Sequence, residues 1–187
     1  MKMYDVAALG ELLVDFTDAG ISQNGMHLFE QNPGGAPANV LTGLSRMHFQ
    51  TAFIGKVGSD LNGRFLESVL KREHVDTSGL IVDPNYFTTL SFVSLSKDGQ
   101  RSFSFARKPG ADIMLRREEV KDDILRNTKI FHIGSLSLTN EPSRTATLSA
   151  LETAKKAGCI ISYDPNYRAS LWPSEEKAKE EIRSVLP

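Results

Sequence analysis

The sequence is poor in cysteine, in long apolar runs and in excess charge of either sign. One cysteine, Cys159, occurs among 187 residues, so an internal disulfide cannot form, which is typical of a protein from a reducing compartment. The 22 basic and 23 acidic side chains nearly cancel, which argues against a nucleic-acid partner. The apolar run at residues 6–9 is too short for a signal core or a membrane span. We therefore expect a cytoplasmic protein that binds neither nucleic acid nor membranes.

Several familiar catalytic patterns are missing as well. The histidines lack metal-ligand spacing: His27, His48, His74 and His132. Gly55-Lys56 is not a Walker A loop, because Gln50 stands where that motif needs glycine and Val57 where it needs Ser or Thr. Cys159 begins an apolar run, so we expect a buried, inert thiol there and not a nucleophile.

Short apolar runs alternate with helical periodicities along the chain. Strand patterns cover residues 4–9, 51–57, 80–82, 130–133 and 159–163. Helical patterns cover residues 38–47, the stretch after a predicted Asp60 cap, residues 142–157 and residues 174–185. This alternation predicts an α/β fold with a central, mostly parallel sheet and helices on both of its faces.

Two segments interrupt the alternation, at about residues 12–33 and 88–108. In the second segment, two β-rich runs at residues 90–95 and 101–105 flank Asp98-Gly99, a strong hairpin signal. The first segment contains a strand-like fragment at residues 26–29. We expect the two insertions to pair into a small sheet that projects from the main body and acts as a lid over a binding crevice.

Polar residues and glycines follow the predicted strands, where ligands bind in open α/β sheets. Asp15 could accept hydrogen bonds from a polyol, or could be a solvated turn residue. Gly34 and Gly35 precede a helix and permit positive φ and close backbone approach to a ligand. The Asn39 amide donates and accepts, as a sugar hydroxyl does. For these last three residues, the alternative is a tight turn with an ordinary helix cap.

Cationic and oxygen-bearing groups follow the hairpin and the last predicted strand. Arg107 could reach a sugar oxygen or a phosphate, or could belong to an exposed basic loop. The guanidinium of Arg168 suits either a phosphate or a structural carboxylate such as Asp164. Asp164 and Asn166 fit a magnesium–water network, but spacing cannot identify such a site because Mg²⁺ keeps several of its waters.

The chain resembles the ribokinase/PfkB carbohydrate kinases, and within them the bacterial fructokinases. The matching segments follow one another along the whole chain: residues 10–15, 33–40, 52–58 with Asp60 and Gly63, 105–112, and 164–168 with Leu171 and Trp172. Each segment is moderately specific, and five in the right order are very specific. Two positions depart from the family pattern and bear on helix packing: Leu41 replaces a small residue and His48 replaces a glycine.

The resemblance implies a ribokinase-like Rossmann-type sandwich with a small β lid, and an enzyme that phosphorylates fructose to fructose 6-phosphate with ATP and Mg²⁺. It implies that the sugar is bound by Asp15, Gly34, Gly35, Asn39 and Arg107. It also implies that Arg168 lies near the sugar or the transferred phosphate, with Asp164 and Asn166 beside the phosphate and metal.

The family's catalytic base is an aspartate in a Gly-Ala-Gly-Asp-like segment, which is absent from these 187 residues. The helix predicted over residues 174–185 also lacks the following strand that a βαβ unit needs. We therefore expect a truncated ribokinase-like domain, residues 1–187, that is inactive alone. The alternatives are a kinase for 2-keto-3-deoxygluconate, a nucleoside or another sugar; a non-catalytic sugar-binding module that forms a homodimer through its lid strands; and a poorly folding fragment with an open sheet edge.

Overall fold

The computed structural model of the chain describes residues 2–95 and 101–186. Its strands are β1 (Tyr4–Leu9), β2 (Leu13–Ile21), β3 (His27–Gly34), β4 (Thr51–Gly58), β5 (Asp76–Asp83), β6 (Leu90–Leu95), β7 (Arg101–Ala106), β8 (Thr128–Gly134) and β9 (Ile160–Asp164). Its α-helices are α1 (Ala36–Arg46), α2 (Leu61–Arg72), α3 (Asp122–Arg126), α4 (Ser143–Lys156) and α5 (Glu175–Ser184). None of the helices in these two ranges is long and apolar enough to cross a membrane.

The main body is a five-stranded parallel sheet in the order β5-β4-β1-β8-β9. Successive side chains of a strand point to opposite faces, and β1 shows this directly. Val6 and Ala8 pack with α1 and α2 on one face, while Ala7 and Leu9 pack with α3, α4 and α5 on the other. The predicted α/β fold with helices on both faces is confirmed.

A second sheet of four strands, in the order β3-β2-β6-β7, stands apart from the first. It contains both interrupting segments: β2 pairs antiparallel with β3 and parallel with β6, and β6 pairs antiparallel with β7. The two predicted hairpin strands are confirmed, whereas the Asp98-Gly99 turn lies outside the described residues. We call this sheet the lid sheet, although its closure over a ligand stays a prediction.

Local signals mark several of the helix ends. The Asp60 side chain accepts a hydrogen bond from the Gly63 backbone at the start of α2, and Ser174 does the same for Lys177 in α5. Gly158, with φ of 70°, follows the end of α4 as predicted. The strand predicted over residues 80–82 was too short, because β5 begins at Asp76 with a polar stretch that has no apolar pattern.

The structure shows the surroundings of His48 and Leu41, the two positions that depart from the family pattern. His48 has a φ of 67°, in the left-handed region where glycine is the least strained residue. Leu41 is fully buried in the core beneath α1.

Cys159 is half-buried, whereas a fully buried thiol was expected, because this residue precedes the edge strand β9. Its thiol donates to the backbone carbonyl groups of Leu125 and Thr128.

Candidate active site

A cleft of about 160 Å³ lies where strand ends of the main sheet meet the lid sheet. Its walls combine two carboxylates, two amides, a guanidinium, backbone and two aromatic rings. The lining residues are Glu11, Leu13, Asp15, Gly35, Ala36, Asn39, Ser91, Phe103, Phe105, Leu136, Asn166 and Arg168. The structure thus brings together five residues selected from the sequence, which are Asp15, Gly35, Asn39, Asn166 and Arg168.

Asp15 lies on the central part of the lid sheet, between Asn32 on β3 and Ser91 on β6. Burial raises the pKa of its carboxyl, while the Ser91 hydroxyl and the positive charge of Arg168 act in the opposite direction. Gly34, at the end of β3, is next to it: a Cβ atom there would overlap the Asp15 carboxylate. Gly34 therefore contributes room for the Asp15 side chain and does not itself line the cleft.

The start of α1 forms one wall of the cleft. Gly35 is the N-cap residue, has a φ of 111° and offers no side-chain cap. A Cβ atom at Gly35 would overlap the backbone carbonyl oxygen of Glu11, so this position accepts only glycine without rearrangement. Asn39, one turn further on, is exposed and lines the cleft. An ordinary tight turn, the alternative considered for this segment, does not explain the close packing of Gly35 against Glu11.

Arg168 spans the cleft from the main sheet to the lid sheet. Its Nη1 donates to Asn166 Oδ1 at 2.6 Å, and its guanidinium carbon lies 5.8 Å from the centre of the Phe103 ring on β7. The carboxylate partner considered for Arg168 was Asp164, but the guanidinium instead donates to the Asn166 side chain and to the Tyr167 backbone carbonyl oxygen. The Asn166 backbone carbonyl is fixed in turn by the Ser135 hydroxyl at 2.6 Å.

Asp164 ends β9 and stays outside the cleft lining. Its negative charge acts on two neighbours: it opposes the burial that lowers the pKa of His132, and it adds to the burial that raises the pKa of Tyr163 to about 12. The expected place of Asp164 beside a phosphate and a metal remains a prediction.

Arg107 is buried, with 7% of its surface exposed, and it does not line the cleft. Its guanidinium forms an ion pair with Asp112, donating from Nε at 2.8 Å, and also donates to Leu136 O and Thr139 Oγ1. The alternative of an exposed basic loop residue is therefore wrong. The sugar contact expected of Arg107 stays a prediction, and in this geometry the side chain instead ties the base of β7 to the 3₁₀ helix Ser135–Leu138.

Glu11 is a cleft residue that our sequence reasoning did not select. It is 3% exposed, and its Oε1 accepts a hydrogen bond from the Ala36 backbone N–H at 3.0 Å. Its Oε2 is buried and has no partner in the part of the chain that the structure describes. Burial raises the pKa of this carboxyl to about 7, against the opposing effects of backbone N–H groups and Arg107. The available signal in the sequence was a glutamate two residues beyond the end of the first strand.

The chain is similar in sequence to curated plant fructokinases over almost its whole length. Among curated proteins, probable fructokinase-7 of Arabidopsis thaliana is 48% identical over 182 residues, covering 96% of this chain and 53% of the relative. Fructokinase-1 of Zea mays is 46% identical over the same length, covering 96% of this chain and 56% of the relative. The chain therefore spans about half the length of these curated relatives.

Solved structures of fructokinases are also similar to this chain. A fructokinase from Xylella fastidiosa superimposes with a TM-score of 0.89 at 35% identity, covering 96% of this chain and 56% of that one. A double mutant of Vibrio cholerae fructokinase, solved with fructose, ADP and potassium ion, gives a TM-score of 0.83 at 32% identity, covering 99% of this chain and 58% of that one. Since the family model for pfkB family carbohydrate kinases matches residues 3–187, the chain belongs to that family.

Proposed function

We propose that this chain forms the sugar-binding half of a fructokinase, which transfers a phosphoryl group from ATP to the 6-hydroxyl of fructose. The observation that carries the proposal is the convergence of Asp15, Asn39 and Arg168 on one cleft between the main sheet and the lid sheet. The fructokinase names of the relatives and the fructose-bound Vibrio cholerae structure support the choice of sugar.

The cleft has the chemistry that a polyol requires. The Asp15 carboxylate accepts hydrogen bonds from hydroxyl groups, and the Asn39 amide both accepts and donates them. The Arg168 guanidinium supplies positive charge for a transferred phosphoryl group, and its contact with Phe103 connects that charge to the lid sheet. Closure of the lid sheet would exclude water, which competes with the sugar as phosphoryl acceptor.

ATP as the phosphate donor is supported by the ATP-bound Xylella fastidiosa fructokinase, which is 35% identical to this chain. Magnesium is the expected counter-ion of the nucleotide phosphates, whose negative charge it would neutralise. The described residues contain no group of three or more His, Cys, Asp and Glu arranged for a metal ion. An ion that keeps most of its waters needs few protein ligands, so the Asp164 carboxylate at the end of β9 is suited to hold it through water.

The purified 187-residue chain should show no kinase activity. The cleft side chains are suited to bind and orient a sugar, and the Gly-Ala-Gly-Asp-like segment that carries the family's catalytic aspartate does not occur among these 187 residues. We expect no ADP release dependent on fructose and ATP in a coupled assay in which the Xylella fastidiosa fructokinase serves as the positive control. ADP release that requires both substrates and persists after repurification would contradict this expectation.

Replacing Asp15 with alanine should weaken fructose binding to the chain by about ten- to hundredfold, because a hydrogen bond to a charged acceptor is lost. Isothermal titration calorimetry would measure the change. Asp18→Ala is a matched control, since Asp18 lies on the same strand but is exposed and outside the cleft. Equal affinities for the two variants would contradict the assignment of Asp15.

Testing a panel of compounds in place of fructose, including 2-keto-3-deoxygluconate, ribose and nucleosides, would distinguish fructose from the other substrates of this family.

We also propose a homodimer through the lid sheet. Three aromatic rings cluster on this sheet: Phe16 stacks on Phe92, and Phe29 contacts Phe92 edge-on. Phe29 and Phe92 are 49% and 40% exposed. Analytical ultracentrifugation would test the proposed homodimer, and a monomer at all concentrations would refute it.

A cytoplasmic location stays a prediction, and one Arabidopsis relative is named chloroplastic.

A further inference from the structure

Glu11 occupies an unusual position in the cleft, because a nearly fully buried carboxyl group uses only one of its two oxygens. Oε1 accepts the Ala36 N–H at 3.0 Å, and Oε2 has no partner within residues 2–95 and 101–186. Buried polar atoms are nearly always hydrogen-bonded, so an unused carboxylate oxygen beside a binding cleft calls for a functional explanation.

The Glu11 hydrogen bond joins two parts of the cleft that are distant in sequence. Ala36 is the first residue of α1, and its N-cap residue Gly35 has no side chain that could cap the helix. Glu11 provides the missing acceptor from the end of the first strand, and a negative charge is favourable at a helix N-terminus. The same segment is held a second time, because Gly35 packs directly on the Glu11 carbonyl oxygen.

The charges around Glu11 come from several elements. Arg107 and Asp112 lie outside the lining and have opposite effects on the Glu11 carboxyl, with Arg107 favouring its ionised form. Asp15 and Arg168 are the other charged residues of the lining itself. Burial is the dominant influence and raises the pKa of Glu11 to about 7, so that the group changes its charge near neutral pH.

We propose that Glu11 is a positioning residue that anchors the start of α1, and with it Gly35 and Asn39, and that gain or loss of one proton by Glu11 changes the affinity of the cleft for its sugar. This inference rests on the proposed function. The ionised carboxylate is the stronger acceptor and the better partner for the helix N-terminus. Sugar affinity should therefore rise as the pH increases through 7.

The first test needs no sugar. In the isotopically labelled chain, the Ala36 amide resonance and the Glu11 side-chain carboxyl resonance should titrate together with a midpoint near pH 7. In Glu11→Gln, which keeps the size of the side chain and an acceptor oxygen, the Ala36 titration should disappear. An Ala36 resonance that does not move between pH 5 and 9, or that moves equally in the variant, would overturn the anchoring role.

The second test uses fructose and calorimetry at pH 6 and pH 8. We expect the wild-type chain to bind fructose about two- to fivefold more tightly at pH 8, as is typical of one charge at a helix end, and we expect this ratio to fall to one in Glu11→Gln. Glu118→Gln changes an exposed glutamate outside the cleft and should retain the wild-type ratio.

The two tests separate the inference from the proposed function. If Ala36 titrates with Glu11 but no protein binds fructose at either pH, the fructokinase assignment and the affinity effect both fail, while the anchor stands. If fructose binds with the same pH ratio in wild type and Glu11→Gln, the proposed function stands and the proton-linked role of Glu11 is refuted.

Discussion

Replacing Asp112 with alanine should lower the free energy of unfolding by about 3–5 kcal/mol, the cost of leaving a buried charge unpaired. The Asp112 and Arg107 side chains are only 1% and 5% exposed, and the carboxylate also accepts from the Thr89 hydroxyl at 2.5 Å. Without Asp112, the hydrogen bonds that the Arg107 guanidinium keeps to the described residues are those to the neutral oxygens of Leu136 and Thr139. Urea unfolding followed by circular dichroism would measure the loss.

A double variant provides the control for this prediction. Changing Arg107 to methionine together with Asp112 to leucine removes both charges, and buried ion pairs replaced by apolar residues of similar volume often cost little. We expect the Arg107→Met/Asp112→Leu protein to be more stable than Asp112→Ala alone. A destabilisation below about 1 kcal/mol for Asp112→Ala, the range of an exposed ion pair, would show that this pair is solvated in solution.

Replacing Gly35 with alanine should damage both folding and binding. Alanine at a φ of 111° adopts a strained backbone, which costs about 1–3 kcal/mol, and its Cβ would overlap the Glu11 carbonyl oxygen. Relief of that overlap must move the start of α1 away from Glu11, and Asn39 moves with it. We therefore expect fructose affinity to fall by roughly tenfold or more, as measured by calorimetry.

Gly43→Ala is the matched control, because it introduces the same methyl group into the same helix. Gly43 is exposed, and a Cβ atom there has no neighbour within 4 Å. Alanine is the better helix former by about 1 kcal/mol, so this variant should be slightly more stable than the wild type and should bind fructose normally. Equal effects of the two substitutions would mean that the close contact between Gly35 and Glu11 has no role.

The prediction of the fold from sequence succeeded because its signals are local. The apolar run of β1 predicts a strand that is buried on both faces, and Val6 and Ala7 indeed pack into the cores on opposite faces of the sheet. The Asp60 cap and the Gly158 helix stop depend on neighbours within a few residues. The length of β5 was missed because its first residues pair through the backbone at a sheet edge, which leaves no apolar pattern to read.

The sequence by itself determined that Asp15 and Arg168 reach the cleft, because Arg168 follows β9 of the parallel sheet and Asp15 lies on β2, which follows β1 along the chain. The same strand-end argument did not hold for Asp164, which ends β9 and stays outside the cleft lining. Only the tertiary structure decided what Arg107 and Glu11 do. The orientation of Arg107 depends on Asp112 and on carbonyl groups of a distant 3₁₀ helix, and the burial of Glu11 depends on the packing of α1 against β1. Desolvation and charge pairing are sums over all neighbours in space, and such sums cannot be obtained from the order of residues along a chain.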